Sequence, residues 1–157
     1  MNRQECSPGN GQSRRRKARA RKLHRERRRQ HARHTGALLP LLADALRHAA
    51  EIYNQAAVEK VHVDGPQLEG AHETLNLTIS HSGFRFEDAG EGYVRVWEVS
   101  PDTLHEHATL KPLVDRTGEL RGWDELAAAN RGHKVERTVD SLSEAYLMSM
   151  VRRRLLD

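Results

Sequence analysis

Residues 75–99 read LNLTISHSGFRFEDAGEGYVRVWEV, three short apolar alternations divided by two turn signals. Leu75, Leu77 and Ile79 put every second side chain on one face, Phe84 and Phe86 do the same, and Tyr93 to Val99 is rich in β-branched and aromatic residues. The links around Ser82-Gly83 and Ala89-Gly90-Glu91-Gly92 are too short for a crossover, so the strands pair antiparallel as a meander. Upstream, Val61 and Val63 alternate into the turn residues Asp64-Gly65-Pro66 and predict one more short strand. The expected sheet therefore has three to four strands.

Helices are expected on either side. Leu38, Leu42, Leu46, Ala49, Tyr53 and Ala57 recur at steps of three or four, predicting an amphipathic helix from about Leu39 to Val58 with Pro40 in its first turn, where a missing N–H is harmless. After the meander, Ser100-Pro101-Asp102 opens a short polar helical segment to about Leu110. Pro112 and Gly118 punctuate a loop, and Trp123 to Asn130 makes two helical turns stopped by Gly132. In the last helix Ser141 and Glu144 have capping-box spacing, Leu142, Tyr146, Leu147, Met150, Val151 and Leu155 form the apolar side, and Arg152, Arg153 and Arg154 suit the negative end of the dipole. Counting Ala145, Met148 and Leu156, more than half of its circumference is apolar. Such a helix is either central to the domain or paired with a second copy, and a homodimer through it is the partner implied. The fold class is α+β, a small meander packed by an N-terminal and a C-terminal helix.

The 157 residues are 37% hydrophobic, 4% aromatic and 31% charged, room for one ordinary domain and not for a multidomain enzyme. The longest apolar run, Ala37 to Ala43, is broken by Pro40 and closed by Asp44, so no membrane span and no membrane partner is expected. Cys6 is the single cysteine, which rules out an internal disulfide and a Cys-rich zinc site.

The formal net charge of +4 hides a division at His34. Residues 1–34 hold 13 Lys or Arg against Glu5 and Glu26, a formal +11, whereas residues 35–157 hold 13 against 20 acids, a formal −7. A basic arm, 1–34, is thus joined to an acidic α+β domain, 35–157, and asymmetry of this kind marks a segment that meets a polyanion. Arg outnumbers Lys 21 to 5, which GC-rich coding would also favour, but that bias raises Arg everywhere and here it is clustered. Residues 1–13 lack any apolar period and read as disordered. From Ser13 to His34 the only large apolar residue is Leu23 among good helix formers, so the arm is expected to be loose alone and helical when neutralised.

The cations expected to contact phosphate are Arg14, Arg15, Arg16, Lys17, Arg19, Arg21, Lys22, Arg25, Arg27, Arg28, Arg29 and Arg33. No aromatic residue precedes Tyr53, so base stacking is not open to the arm and phosphate contacts with Arg reaching base edges are. Leu23 alone cannot provide the apolar face of a membrane helix or a mitochondrial presequence. Ser13-Arg14-Arg15 ahead of Ala37–Ala43 has the order of a twin-arginine export signal, but the apolar run is short, distant and in phase with the following helix.

Catalytic constellations are weak. His105 and His107 would share a face only if their segment were extended, and on the helix expected there they diverge by about 200°. His62 with Asp64, the acids Glu87, Asp88 and Glu98, and a nuclease-like set of His107, Asn130 and His133 lack a frame that brings them together. Phe84, Phe86, Trp97 and Trp123 read as core. P-loop, Rossmann glycine pattern and nucleophile elbow are all missing from the sequence. No cofactor and no metal is expected. The reading is a non-enzymatic accessory protein that anchors to nucleic acid, DNA or RNA, and presents its body to a protein partner; it is expected in the cytoplasm, or in the nucleus of a eukaryotic or viral system. The alternatives are a small metal-dependent hydrolase guided by the arm and an adaptor whose arm is a targeting signal.

Overall fold

The computed structural model describes residues 9–129 and 133–156. The chain runs α1 (Gly9–Asn54), β1 (Val61–Glu69), β2 (His72–Ile79), β3 (Ser82–Asp88), β4 (Val94–Val99), β5 (Leu104–Val114), β6 (Leu120–Ala127), β7 (Lys134–Arg137) and α2 (Val139–Leu156). The strands form one seven-stranded sheet in sequence order, every neighbouring pair antiparallel. One face of it is covered by the two helices, and the fold is α+β. Leu75, Phe86, Val96 and Ala108 lie in one cross-strand row of that inner face, beside Leu77 and Phe84. With Trp123 and the buried sides of α1 and α2 they make a single core.

The sheet is larger than the expected three to four strands. Residues 104–110, expected as helix, are the first part of β5, and Ser100-Pro101-Asp102 belongs to the turn before it, where Ser100 N–H donates to Thr103 O at 3.0 Å. The pairing of β4 with β5 slips between Val96 and Trp97, leaving His107 as an extra residue. That bulge shifts the alternation by one and hides the strand period in the sequence. Residues 123–127, also expected as helix, pair with β5 as the end of β6, so cross-strand packing overrides the helix propensity of Glu-Leu-Ala-Ala; Asn130 and Gly132 lie outside the described residues. Asp64-Gly65-Pro66 sits inside β1 as an irregularity between Asp64 and Gln67 rather than ending it.

Two helix boundaries also differ. α2 begins at Val139, and its cap is Thr138: Ser141 N–H donates to Thr138 Oγ1 at 3.1 Å while Thr138 N–H donates to Ser141 Oγ at 2.8 Å. The reciprocal capping box is therefore Thr138 with Ser141, three residues before the expected one. At the other end of the chain, the arm and the expected 39–58 helix are one helix with Pro40 in its interior. Pro40 and Gly36 are both exposed, so the Gly36 carbonyl that loses its donor faces water. The helix ends at Asn54, whose amide donates to Val61 O at 2.9 Å and accepts from Val61 N–H at 2.7 Å, tying it directly to β1.

α2 is central to the layer. Leu142, Tyr146, Leu147 and Met150 are buried in the core against α1 and the sheet, the central of the two arrangements expected for this helix, while Met148, 50% exposed, lies on the other side. Tyr146 is held edge-on to Phe84 and Phe86, and its hydroxyl donates to Glu125 Oε2 at 2.7 Å. Met150→Glu buries an unpaired carboxylate and abolishes the cooperative thermal transition, whereas Met148→Glu leaves the midpoint within the ordinary scatter of surface changes, about 0.5 kcal/mol. Differential scanning calorimetry of the two variants checks this.

Candidate nucleic-acid interface

Leu38, Leu39, Leu42, Ala43, Leu46 and Ala50 are the side of α1 buried on the sheet, spaced three, four and seven apart. Counting back by sevens, Leu42 leads to Thr35, Arg28 and Arg21, and Leu38 leads to His31, His24 and Lys17. The stripe that is apolar over the sheet turns basic as the helix leaves it. Thr35 is the last buried position, its hydroxyl satisfied by Ala32 O at 3.0 Å, and residues 11–30 are exposed throughout.

The point of exit is held by two loops at the same end of the sheet. His34 Nε2 lies 3.2 Å from Gly118 O in the β5–β6 loop. Gly118 has φ +88°, and a Cβ there would stand 3.2 Å from Gln30 Nε2; Gly92, in the β3–β4 loop with φ +87°, would put a Cβ 3.4 Å from His31 Cβ. Asp115 shapes the first loop by accepting from Thr117 N–H at 2.8 Å, Thr117 Oγ1 at 2.6 Å and Glu119 N–H at 3.0 Å. Those donors hold its carboxyl below the usual carboxylate range. Burial, with smaller contributions from His34, Lys111 and Arg27, pushes the His31 imidazole down. This clasp of Gln30, His31 and His34 was not legible in the sequence, since nothing local links those residues to glycines sixty or more positions away.

All twelve expected cations lie on α1, and all are exposed. At 100° per residue they are not a stripe. Arg14 and Arg25 share one side, Arg16 and Arg27 lie about 160° round from them, and Lys17, Arg21 and Arg28 continue the core-facing side. Among the described residues none of the twelve has a carboxylate within ion-pair distance, and the only acid beside them is Glu26. In the body, five of the twelve described cations have carboxylate partners. Arg85 pairs with Glu69 at 2.5 Å and Glu87 at 3.9 Å, Arg95 with Glu91 at 3.6 Å, Arg137 with Glu125 at 3.6 Å, Arg153 with Glu98 and Arg154 with Glu59.

The weaker constellations do not assemble. His107 is turned inward at the bulge, 31% exposed, with its ring against Phe84 and Tyr146 and Glu98 at 4.0 Å. His105 is exposed and opposite Glu98 in the register. Glu87 sits on the outer face with Arg85 and His72, the opposite side from Glu98. His62 and Asp64 are exposed on β1. No three His, Cys, Asp or Glu among the described residues form a group able to hold a metal ion. Phe84, Phe86 and Trp123 are core, while Trp97 lies on the outer face across from Arg85. Among the described residues no helix is long and apolar enough to cross a membrane. Comparison with protein-family models, with curated proteins and with solved structures finds no match to the chain.

Gly118→Ala forces a side chain into a left-handed conformation at about 1–2 kcal/mol and crowds Gln30; urea denaturation is expected to show that loss with the fold retained. Burial is also the main cause of the lowered His107 pKa, with Arg153 adding to it against the opposing pull of Glu125 and Glu98. Below the unfolded-state value near 6.5 the unfolded chain therefore binds the proton first, and stability falls as pH drops from 7 toward 5. In His107→Gln the fall over that window is shallower than in the wild type, as read by the denaturation midpoint at each pH.

Proposed function

We propose that the protein is a non-enzymatic nucleic-acid-binding accessory protein whose ligand-contacting element is the exposed half of α1. The observation that carries this reading is the contrast in charge partnering: five of the twelve described body cations have carboxylate partners, whereas the twelve arm cations stand exposed, with no carboxylate partner among the described residues, on a helix anchored at its root. The sequence places ten like-charged pairs three or four apart on this helix, among them Arg15 with Arg19, Lys17 with Arg21 and Arg25 with Arg29. At about 0.2–0.5 kcal/mol each in low salt they oppose the helix by about 2–5 kcal/mol, and a polyanion relieves that repulsion as it binds. Because the docked half already supplies the helical nucleus, binding does not carry the ordering cost of a disordered arm. The acidic body is the holder, and its outer sheet face is left for a protein partner. Work at a nucleic acid puts the protein in the cytoplasm, or in the nucleus of a eukaryotic or viral system.

Neutralising about six to eight phosphates gives a log–log salt slope of about −5 to −7 on duplex. Removing residues 1–28, which lie before the Gln30–His34 contacts, is expected to abolish binding, and equal binding by the truncated protein refutes the proposal. Arg27→Ala, Arg28→Ala and Arg29→Ala together are expected to weaken all sequences alike, the mark of phosphate contact rather than base readout. Fluorescence anisotropy at several salt concentrations gives both results.

A further inference from the structure

Cations spread around most of the circumference of a helix limit the shape of the polyanion they fit. A flat or one-sided surface, such as an anionic bilayer or an acidic protein face, reaches Arg14 and Arg25 or Arg16 and Arg27, but not both pairs at once. A groove walled by phosphates on two sides reaches both. An α-helix with its side chains is about 10–12 Å across, which matches the B-form major groove at about 12 Å and exceeds the minor groove at about 6 Å. The major groove of A-form RNA is deep and narrow. Single strands are held mainly by stacking, and the helix carries no aromatic residue before Tyr53.

We infer that the ligand of α1 is B-form duplex DNA and that the exposed helix enters its major groove. This rests on the nucleic-acid reading above and narrows it to one polymer and one mode. The body sets how far the helix enters. The β3–β4 and β5–β6 loops stand against His31 and against Gln30 and His34, so a duplex has no room to close around the helix at the root. The contact then lies on the outer turns from Arg14 to Arg29, about 24 Å of helix, or about two-thirds of a duplex turn. Arg33, next to the clasp, contributes least.

The test is an anisotropy titration of the full-length protein with a DNA duplex of about 16 base pairs, a turn and a half. It is run beside the same duplex with glucosylated hydroxymethylcytosines filling the major groove, the same duplex preloaded with the minor-groove ligand netropsin, the RNA duplex of that sequence, and the single strand. The inference expects affinity to fall by about tenfold or more on glucosylated DNA, RNA duplex and single strand, and to be unchanged with netropsin. Equal affinity for glucosylated and plain DNA, or tighter binding to RNA or to the single strand, overturns the groove while leaving nucleic-acid binding intact. No binding to any of the polymers overturns both readings. The double variants Arg14→Ala/Arg25→Ala and Arg16→Ala/Arg27→Ala, on opposite sides of the helix, are each expected to lower the salt slope by about two. A loss confined to one pair means a one-sided surface contact and overturns the inference.

Discussion

Leu38, Leu39, Leu42 and Leu46 are fully buried between α1 and the inner face of the sheet, and the direction of the whole helix follows from that contact. Each such leucine is worth about 1.5–3 kcal/mol, which fixes the rotation of α1 and commits one side of it to the core. Once those turns are docked the costly nucleus of the helix exists, and the basic residues extend it one hydrogen bond at a time. The arm is not a tail attached to a domain. It is the continuation of a core element, and its side chains project at azimuths that the leucines determine.

The charge distribution makes the same division in a different way. On the sheet, Arg85 lies between Glu69 and Glu87, and beneath α2 Arg137 approaches the carboxylate that also accepts the Tyr146 hydroxyl. These pairs leave those guanidinium groups little field to present outside. Along residues 14–33 no carboxylate other than Glu26 is available, so the field is undiminished except by salt. The boundary between the two regimes falls at the root, where the β3–β4 and β5–β6 loops stand against Gln30, His31 and His34.

The sequence made legible what depends on local period. Leu75 to Ile79, Phe84 with Phe86, and Val94 to Val99 are strands in the meander order read from their alternation and short turns, and Leu142 to Met150 is the apolar side of a helix. It hid what depends on pairing across distance. β5 loses its alternation at the His107 bulge, β6 ends in residues that favour helix in isolation, and β7 has only four residues, so each is stabilised by its neighbours rather than by itself. Gly36 and Pro40 look like a helix boundary because the penalty of an interior proline is usually large; both are exposed, and the broken bond is left to water. The twelve cations were readable as a group from their clustering. Their azimuths became meaningful only with the continuity of α1, and the clasp at Gln30, His31 and His34 had no sequence signal.

The most direct measurement is a heteronuclear NMR titration of the isotope-labelled full-length protein with a short DNA duplex, following backbone amides and arginine Nε–Hε groups together. The account predicts shifts concentrated on Arg14 to Arg29, fading toward the clasp at His31 and His34, with the amides of the sheet and α2 in place. Shifts centred on the outer sheet face around Arg85, Arg95 and Trp97, with the helix unmoved, would contradict it.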